Sequence, residues 1–233
     1  NPDSSQSNLA RLKQEMDIFL AENNFLVNFQ AFAKYHDFHY KMLESKPAFA
    51  FMPDWYLQQN KQVLRLQPLL RPMRNNRSTY HKVLLTSNGA RVKLGDLLGK
   101  TIAMTSMGPA TSDLLNTLLF SEYQFDPKKF NIIPTPKDSD ALLALTVRQV
   151  DVALVSQDNL DKIGKINPRI LQIVRPLAKS KPIPLPVICV GKDSVSKESI
   201  ARLKKIFLNA KRSRGSTNLM EMLQIDAWHN YSH

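Results

Sequence analysis

The sequence predicts an α/β fold of two lobes, each a mostly parallel sheet flanked by helices, with a ligand cleft between the lobes. Three observations carry that expectation. Strand and helix signals alternate over Leu9 to Met52 and again over about Arg91 to Ile173, the pattern of strands joined by crossover helices. Gly99 to Phe120, GKTIAMTSMGPATSDLLNTLLF, reads as strand, hydroxyl-rich turn and helix. The helices of the last forty or so residues need a sheet to cover, so the chain is expected to cross between lobes twice, near 83–86 and 184–190. That gives one lobe of residues 1–83 plus 190–233 and another of 84–189, joined by a double crossing that can hinge around a ligand.

Each element has a local cause. Leu9, Leu12, Met16, Phe19 and Leu20 recur at helical spacing up to Asn23-Asn24, and FLVNFQAF at 25–32 predicts a strand after them. A helix follows over about Tyr35 to Ser45 and stops at Pro47; Ala48 to Met52 is a buried strand closed by Pro53. Pro68 and Pro72 interrupt Leu64 to Met73, which predicts an extended connection, and Tyr80 to Thr86 a strand. Beyond Asn88-Gly89 come strands at Thr101 to Met104, Asn131 to Pro134 and Asp151 to Ser156, with a helix at Asp138 to Gln149. The prolines at 176, 182, 184 and 186 mark a return crossing before the strand VICV. Helices at Lys197 to Asn209, with Ile200, Leu203 and Phe207 inward, and near Thr217 to Leu223 end the pattern.

The helix that follows Thr101 to Met104 starts among hydroxyl residues. The first N–H groups of a helix lack internal partners and lie at its positive end, so Ser106, Thr111 and Ser112 are candidate anion ligands; helix capping is the alternative role. In an open parallel sheet ligands bind beyond the carboxyl ends of the strands, where the turns at 105–113, 135–138 and 156–158 belong. Lys137 stands at the mouth of the second lobe as a possible counter-charge, or as an ordinary solvated lysine.

The 233 residues are 43% hydrophobic, enough for one sizeable core or two modest ones. No apolar run has the length of a membrane helix, and NPDSSQSN lacks the basic start and apolar middle of a secretory signal. Thirty-two Lys and Arg against twenty Asp and Glu give a formal charge of +12, which favours anionic partners. The cations are dispersed: RPMRNNR at 71–77 and KRSR at 211–214 are short, and no basic stripe interleaved with aromatics suggests nucleic acid. Cys189 is the single cysteine, inside LPVICVG, so no internal disulfide or thiolate metal site is possible. His36 and His39 share a helical face without a further ligand beside them, so no metal and no cofactor is expected. Nucleophile-elbow, phosphate-loop and dinucleotide motifs are absent, and no catalytic residue is named.

Several segments together resemble a known family, the substrate-binding proteins of phosphate and phosphonate ABC importers, which have the type II periplasmic binding protein fold. They are MPDWY at 52–56, similar to the family's Gly-Pro-x-x-Tyr turn; Tyr80 in STYHKVLL; LGDLLGKTIAMTS; LLALTVRQVDVALVSQDNL; KPIPLPVICVGKD; and LMEMLQIDAW. The resemblance covers nearly the whole chain. It implies a non-catalytic, bilobed protein that closes on a small, anionic ligand and delivers it to an ABC permease. The expected location is periplasmic or extracytoplasmic, with a lipid anchor before the truncation, and the expected state is monomeric.

The resemblance assigns ligand contact to Thr111 and Ser112 in the hydroxyl turn and to Tyr56 and Tyr80. Trp55, at a strand end, is a candidate aromatic wall of the cleft; an ordinary lid on the core is the alternative role. Where the family carries an acid facing a ligand amine, Ser156 and Gln157 stand here, with Asp158 next; a family histidine is replaced around Pro136-Lys137, and Met52 replaces the Gly. These departures disfavour an aminoalkylphosphonate and predict a more apolar site. The family's first strand would end before Asn1, so the chain is expected to begin inside the fold. The alternative function is a ligand-sensing, lipid-contacting or protein-contacting domain on the same fold, without transport; fold alone does not separate the two.

Overall fold

The computed structural model describes residues 6–106, 108, 111, 115–116, 129–192, 195–212 and 215–232. In chain order the elements are α1 (Gln6–Glu22), α2 (Tyr35–Ser45), β1 (Phe49–Met52), α3 (Asp54–Leu64), β2 (Leu66–Met73), β3 (Thr79–Tyr80), β4 (Lys82–Ser87), β5 (Thr101–Thr105) and β6 (Asn131–Thr135). They continue as α4 (Asp138–Thr146), β7 (Val152–Ser156), α5 (Gln157–Ile166), α6 (Arg169–Ile173), β8 (Val174–Lys179), β9 (Ile183–Pro184), β10 (Val187–Gly191), α7 (Lys197–Leu208), α8 (Ser216–Leu223) and β11 (Ala227–Asn230). The chain divides into two compact units, residues 3–79 with 184–233 and residues 80–183. The passages between them fall at Thr79/Tyr80 and Ile183/Pro184; the sequence suggested crossings near 83–86 and 184–190.

In the first unit the sheet order is β1-β10-β2-β11, and every neighbouring pair is antiparallel. This corrects the expectation of a mostly parallel sheet for that unit. β1 and β2 do run the same way, joined over α3, but β10 enters between them in the opposite sense, with Ala50 opposite Cys189 and Leu70 opposite Ile188. Leu64 to Met73 is likewise not a connection: β2 is an interior strand. Its prolines sit where a missing N–H costs least, Pro68 beside the irregularity between Ile188 and Cys189, and Pro72 past the last β10 pair.

The expected strand at 25–32 has no sheet partner. It is instead the exit of α1, closed by a left-handed Asn24, with Asn24 N–H donating to Ala21 O at 2.8 Å and Phe25 N–H to Leu20 O at 2.9 Å. Phe25 and Leu20 are both buried and secure that turn, while Leu26 is 88% exposed, so alternation into a core is lacking. One face of the sheet packs Phe19, Leu70, Ile188, Phe207 and Trp228, with Phe207 at 5.3 Å from Phe19 and 5.0 Å from Trp228, edge to face. The other packs Met42, Met52, Tyr56, Leu57, Val187 and Cys189. Burying a side chain of this size contributes about 1.5–3 kcal/mol.

In the second unit the order is β6-β5-β7-β4-β8. β5 pairs in parallel with β6 and β7, as the alternation predicts, and β4 is antiparallel to both β7 and β8. Val83, Leu85, Ala103, Ala153 and Val155 face Leu142 and Leu145 of α4, whereas Leu84, Ile102, Met104, Val152 and Leu154 face Leu97 and Leu115. Both faces of the sheet are therefore covered, and its polar residues are confined to the strand ends. The proline-marked 176–179 is strand β8, with Pro176 beside the irregularity between Leu84 and Leu85.

Candidate functional site

The carboxyl ends of β5 and β7 meet the amino end of β4, because β4 runs against β7 with Lys82 opposite Ser156. α4 and α5 begin at the same edge, at Asp138 and Gln157. Four chain segments thus bring Lys82, Thr105, Asp138, Ser156 and Asn159 together. The Lys82 ammonium donates to Thr105 Oγ1 at 3.0 Å and lies 3.6 Å from Asp138 Oδ1, and Thr105 Oγ1 donates to Asp138 Oδ1 at 3.2 Å. Asp138 Oδ2 accepts the Ser156 N–H at 2.7 Å and Asn159 Nδ2 at 3.0 Å. Burial pushes the Asp138 carboxyl up, but Lys82 and the hydrogen bonds from Ser156 and Asn159 outweigh it and hold the group below the usual carboxylate range. Both charged side chains are 7% exposed, and the pair is a neutralised unit with its donors and acceptors matched.

Beside this pair the chain leaves β5 through Ser106 and Gly108. Gly108 has φ +82, a conformation that costs glycine little, and its N–H donates to Ser106 Oγ at 3.1 Å. Ser106 is exposed, and with its oxygen engaged by Gly108 its own proton can still be donated outward. Thr111 is buried, and its hydroxyl donates to Gly108 O at 2.6 Å, so its proton is committed within the turn. Ser112 lies outside the described residues. Ser156 caps α5, its Oγ accepting the Asn159 N–H at 3.3 Å. Gln157 turns to Asp161 Oδ1 at 2.8 Å, Lys137 is exposed just ahead of α4, and Tyr80 is half-buried in β3. Lys82, Asp138 and Asn159 were not foreseen: a buried lysine reads from the sequence as one more surface cation.

The first unit holds Trp55 and Tyr56. Tyr56 is fully buried in the core of α2, α3 and the sheet, its hydroxyl 2.9 Å from His39 Nδ1. A ligand-facing hydroxyl is thus the wrong picture for Tyr56 here: the helix beginning at Asp54 turns the ring under β1, where desolvation, then Tyr35, pushes its hydroxyl up to about 12. Trp55 is half-buried and stacks on Tyr35 at 6.0 Å. Asp54 and Arg71, also unforeseen, form an ion pair in which Arg71 Nη2 donates to Asp54 Oδ1, with the guanidinium 4.6 Å over the Tyr231 ring. Cys189 is a free, buried thiol pushed up to about 12, first by burial and then by Asp54. Among the described residues no group of three or more His, Cys, Asp and Glu could hold a metal, and no helix is long and apolar enough to cross a membrane.

The fold has counterparts in known proteins. A binding protein component of a phosphonate ABC transporter from Pseudomonas aeruginosa is similar at a TM-score of 0.73 and 16% identity, covering 98% of this chain and 78% of that one. PhnD1 from Prochlorococcus marinus, solved with methylphosphonate, is similar at 0.74 and 10% identity, covering 99% and 90%. XAC2383 from Xanthomonas citri, solved with ATP, is similar at 0.71 and 12% identity, covering 97% and 87%. Identities this low speak to the fold alone, which is that of the type II periplasmic binding proteins. A search of curated proteins returned no match. The family profile described as ABC transporter, phosphonate, periplasmic substrate-binding protein matches residues 1–233, the full length. The chain belongs to the periplasmic substrate-binding proteins of phosphonate ABC transporters.

Proposed function

We propose that this chain binds a small oxyanion of the phosphonate or phosphate class outside the cytoplasm, without catalysis, and delivers it as a monomer to an ABC permease. The observation that carries the reading is the turn after β5, where Ser106 keeps a donatable proton beside a left-handed Gly108. Thr111 and Ser112 complete the hydroxyl set, Thr111 once its hydroxyl rotates away from Gly108 O. Lys137, Gln157 and Ser156 line the same edge, and Tyr80 of the same unit supplies aromatic surface. Neutral donors suit an oxyanion here because Lys82, a buried cation of the edge, is already neutralised by Asp138.

The same pair argues against an aminoalkylphosphonate. Asp138 accepts hydrogen bonds from Thr105, Ser156 and Asn159 and has its charge matched by Lys82 at 3.6 Å, so it is a poor partner for a second ammonium from a ligand. A buried ammonium without a partner is costly. Calorimetric titration with phosphate, methylphosphonate and 2-aminoethylphosphonate tests the reading. Saturable heat with the first or second and much weaker binding of the third is expected; no heat with any of them contradicts it.

A further inference from the structure

His81 stands between β3 and β4, inside the second unit. Its carbonyl accepts the N–H of Gln157, the first residue of α5, at 2.9 Å, which puts it at the edge where Lys82 and Ser156 lie opposite one another. Its ring Nδ1 lies 2.8 Å from the Ser180 carbonyl oxygen. A carbonyl only accepts, so Nδ1 carries the proton and donates, and in the neutral ring the bare lone pair falls on Nε2. Ser180 is itself fixed, its N–H donating to Lys82 O at 2.8 Å and its Oγ accepting the Lys82 N–H at 2.9 Å, so backbone held by strand pairing dictates the tautomer. Nε2 is left over: among the described residues it has no hydrogen-bond partner, and it is not one of the nitrogens sealed from solvent. The two ring nitrogens point away from each other, so the bond to Ser180 turns Nε2 to the open side of the half-buried ring. β7 alone separates β4 from β5, about 10 Å at ordinary strand spacing, a distance that two side chains with one small oxyanion between them can bridge.

We infer that His81 is a specificity-determining contact of the oxyanion at this edge, its Nε2 sharing one proton with a ligand oxygen, so that the edge favours anions with an ionisable P–OH over anions with none. This rests on the reading of the ligand as an oxyanion held by the second unit. A phosphonate or phosphate that keeps one acidic hydroxyl donates it to Nε2; a fully ionised one accepts the same bond from a ring that already holds the proton. In both cases a single proton lies between nitrogen and oxygen. A sulfonate of the same shape is fully ionised at neutral pH and brings no proton, so it meets the Nε2 lone pair with another lone pair. Ser106 at the same edge donates to any oxyanion, whereas Nε2 distinguishes among them.

Titration calorimetry at neutral pH with methylphosphonate and with methanesulfonate, on the native protein, H81N and H81Q, tests the inference, with thermal unfolding recorded for each. Asn keeps an N–H at the level of Nδ1 for Ser180 and has nothing where Nε2 was; Gln puts its amide near the place of Nε2. The native protein is expected to bind methylphosphonate about tenfold or more tighter than methanesulfonate. In H81N that ratio is expected to fall toward parity through weaker methylphosphonate binding, at a similar unfolding temperature, and in H81Q to recover in part. A histidine that only braces Ser180 gives the reverse order, H81N near native and H81Q impaired. That order overturns the inference, as does equal native affinity for the two anions, and both leave the oxyanion reading standing. Should H81N fail to fold, H81F decides: loss of the ratio supports the contact, and the native ratio overturns it. No heat from the native protein with methylphosphonate or phosphate overturns both the contact and the oxyanion reading.

Discussion

Asp138 Oδ2 accepts the backbone N–H of Ser156 at 2.7 Å, so a carboxylate from the start of α4 occupies the position at the start of α5 that an external anion would take. With Asn159 on the same oxygen and Lys82 on the other, one side chain ties together two helix starts and the ends of β4, β5 and β7. Replacing Asp138 by Asn leaves the Lys82 ammonium buried without a counter-ion, which typically costs about 3–5 kcal/mol. Urea denaturation of D138N is expected to show that loss, and the double variant K82M/D138N to recover a large part of it. Equal stability in D138N and the native protein would mean that the pair is not a buried, coupled unit.

The acid limb of stability follows from the same group. The folded Asp138 carboxyl titrates below its unfolded value of about 3.9, so its contribution is present above that pH and is lost as pH falls through the lower folded value. Melting temperature is therefore expected to drop below about pH 4, and more steeply in the native protein than in D138N.

At the alkaline end the sign reverses. Tyr56 is raised from 10.0 to about 12, and Cys189 from 9.0 to about 12. A raised group contributes stability that is complete below its unfolded value and disappears as pH climbs through the folded one, which places the loss between 9.0 and about 12. Tyrosinate absorbance and unfolding are expected to rise together there. Removing only the Tyr56 hydroxyl in Y56F should cost about 1 kcal/mol through the lost bond to His39 and leave methylphosphonate affinity unchanged.

Cys189 offers an independent check of the first unit. Its thiol is completely enclosed in β10 and held in the neutral form by burial, and only the thiolate reacts quickly. Thiol reagents are expected to leave the native protein unmodified and to label it fully in denaturant. Rapid labelling of the folded protein would show that the β1-β10-β2 sheet opens.

The alternation of strands and helices was legible because periodicity reports burial, and burial decides these elements: Met16, Phe19 and Leu20 in α1, or Leu203 and Phe207 in α7, lie where their spacing put them. Strand direction was not legible. Nothing local in VICVG states that β10 will insert between β1 and β2 against their sense. Pro68 and Pro72 hid an interior strand, since their tolerance depends on an irregularity and a strand end in β10. The hydroxyl turn was visible as residue types. Its chemistry was not, because whether Ser106 or Thr111 has a proton to donate depends on which of them Gly108 engages. Lys82 with Asp138 and Asp54 with Arg71 escaped notice for a related reason: each is a pair of ordinary surface residue types, 56 and 17 positions apart, brought together only by tertiary contact.

The central claim is that hydroxyl donors at the carboxyl edge of the second unit hold an oxyanion. A side-by-side calorimetric titration of methylphosphonate into the native protein and into the S106A/T111A variant measures it most directly. Each hydrogen bond to a charged group is worth about 1.5–3 kcal/mol, so the account predicts saturable native binding and an affinity at least about a hundredfold lower in the variant, at a similar melting temperature. Native binding that survives both substitutions undiminished would contradict it.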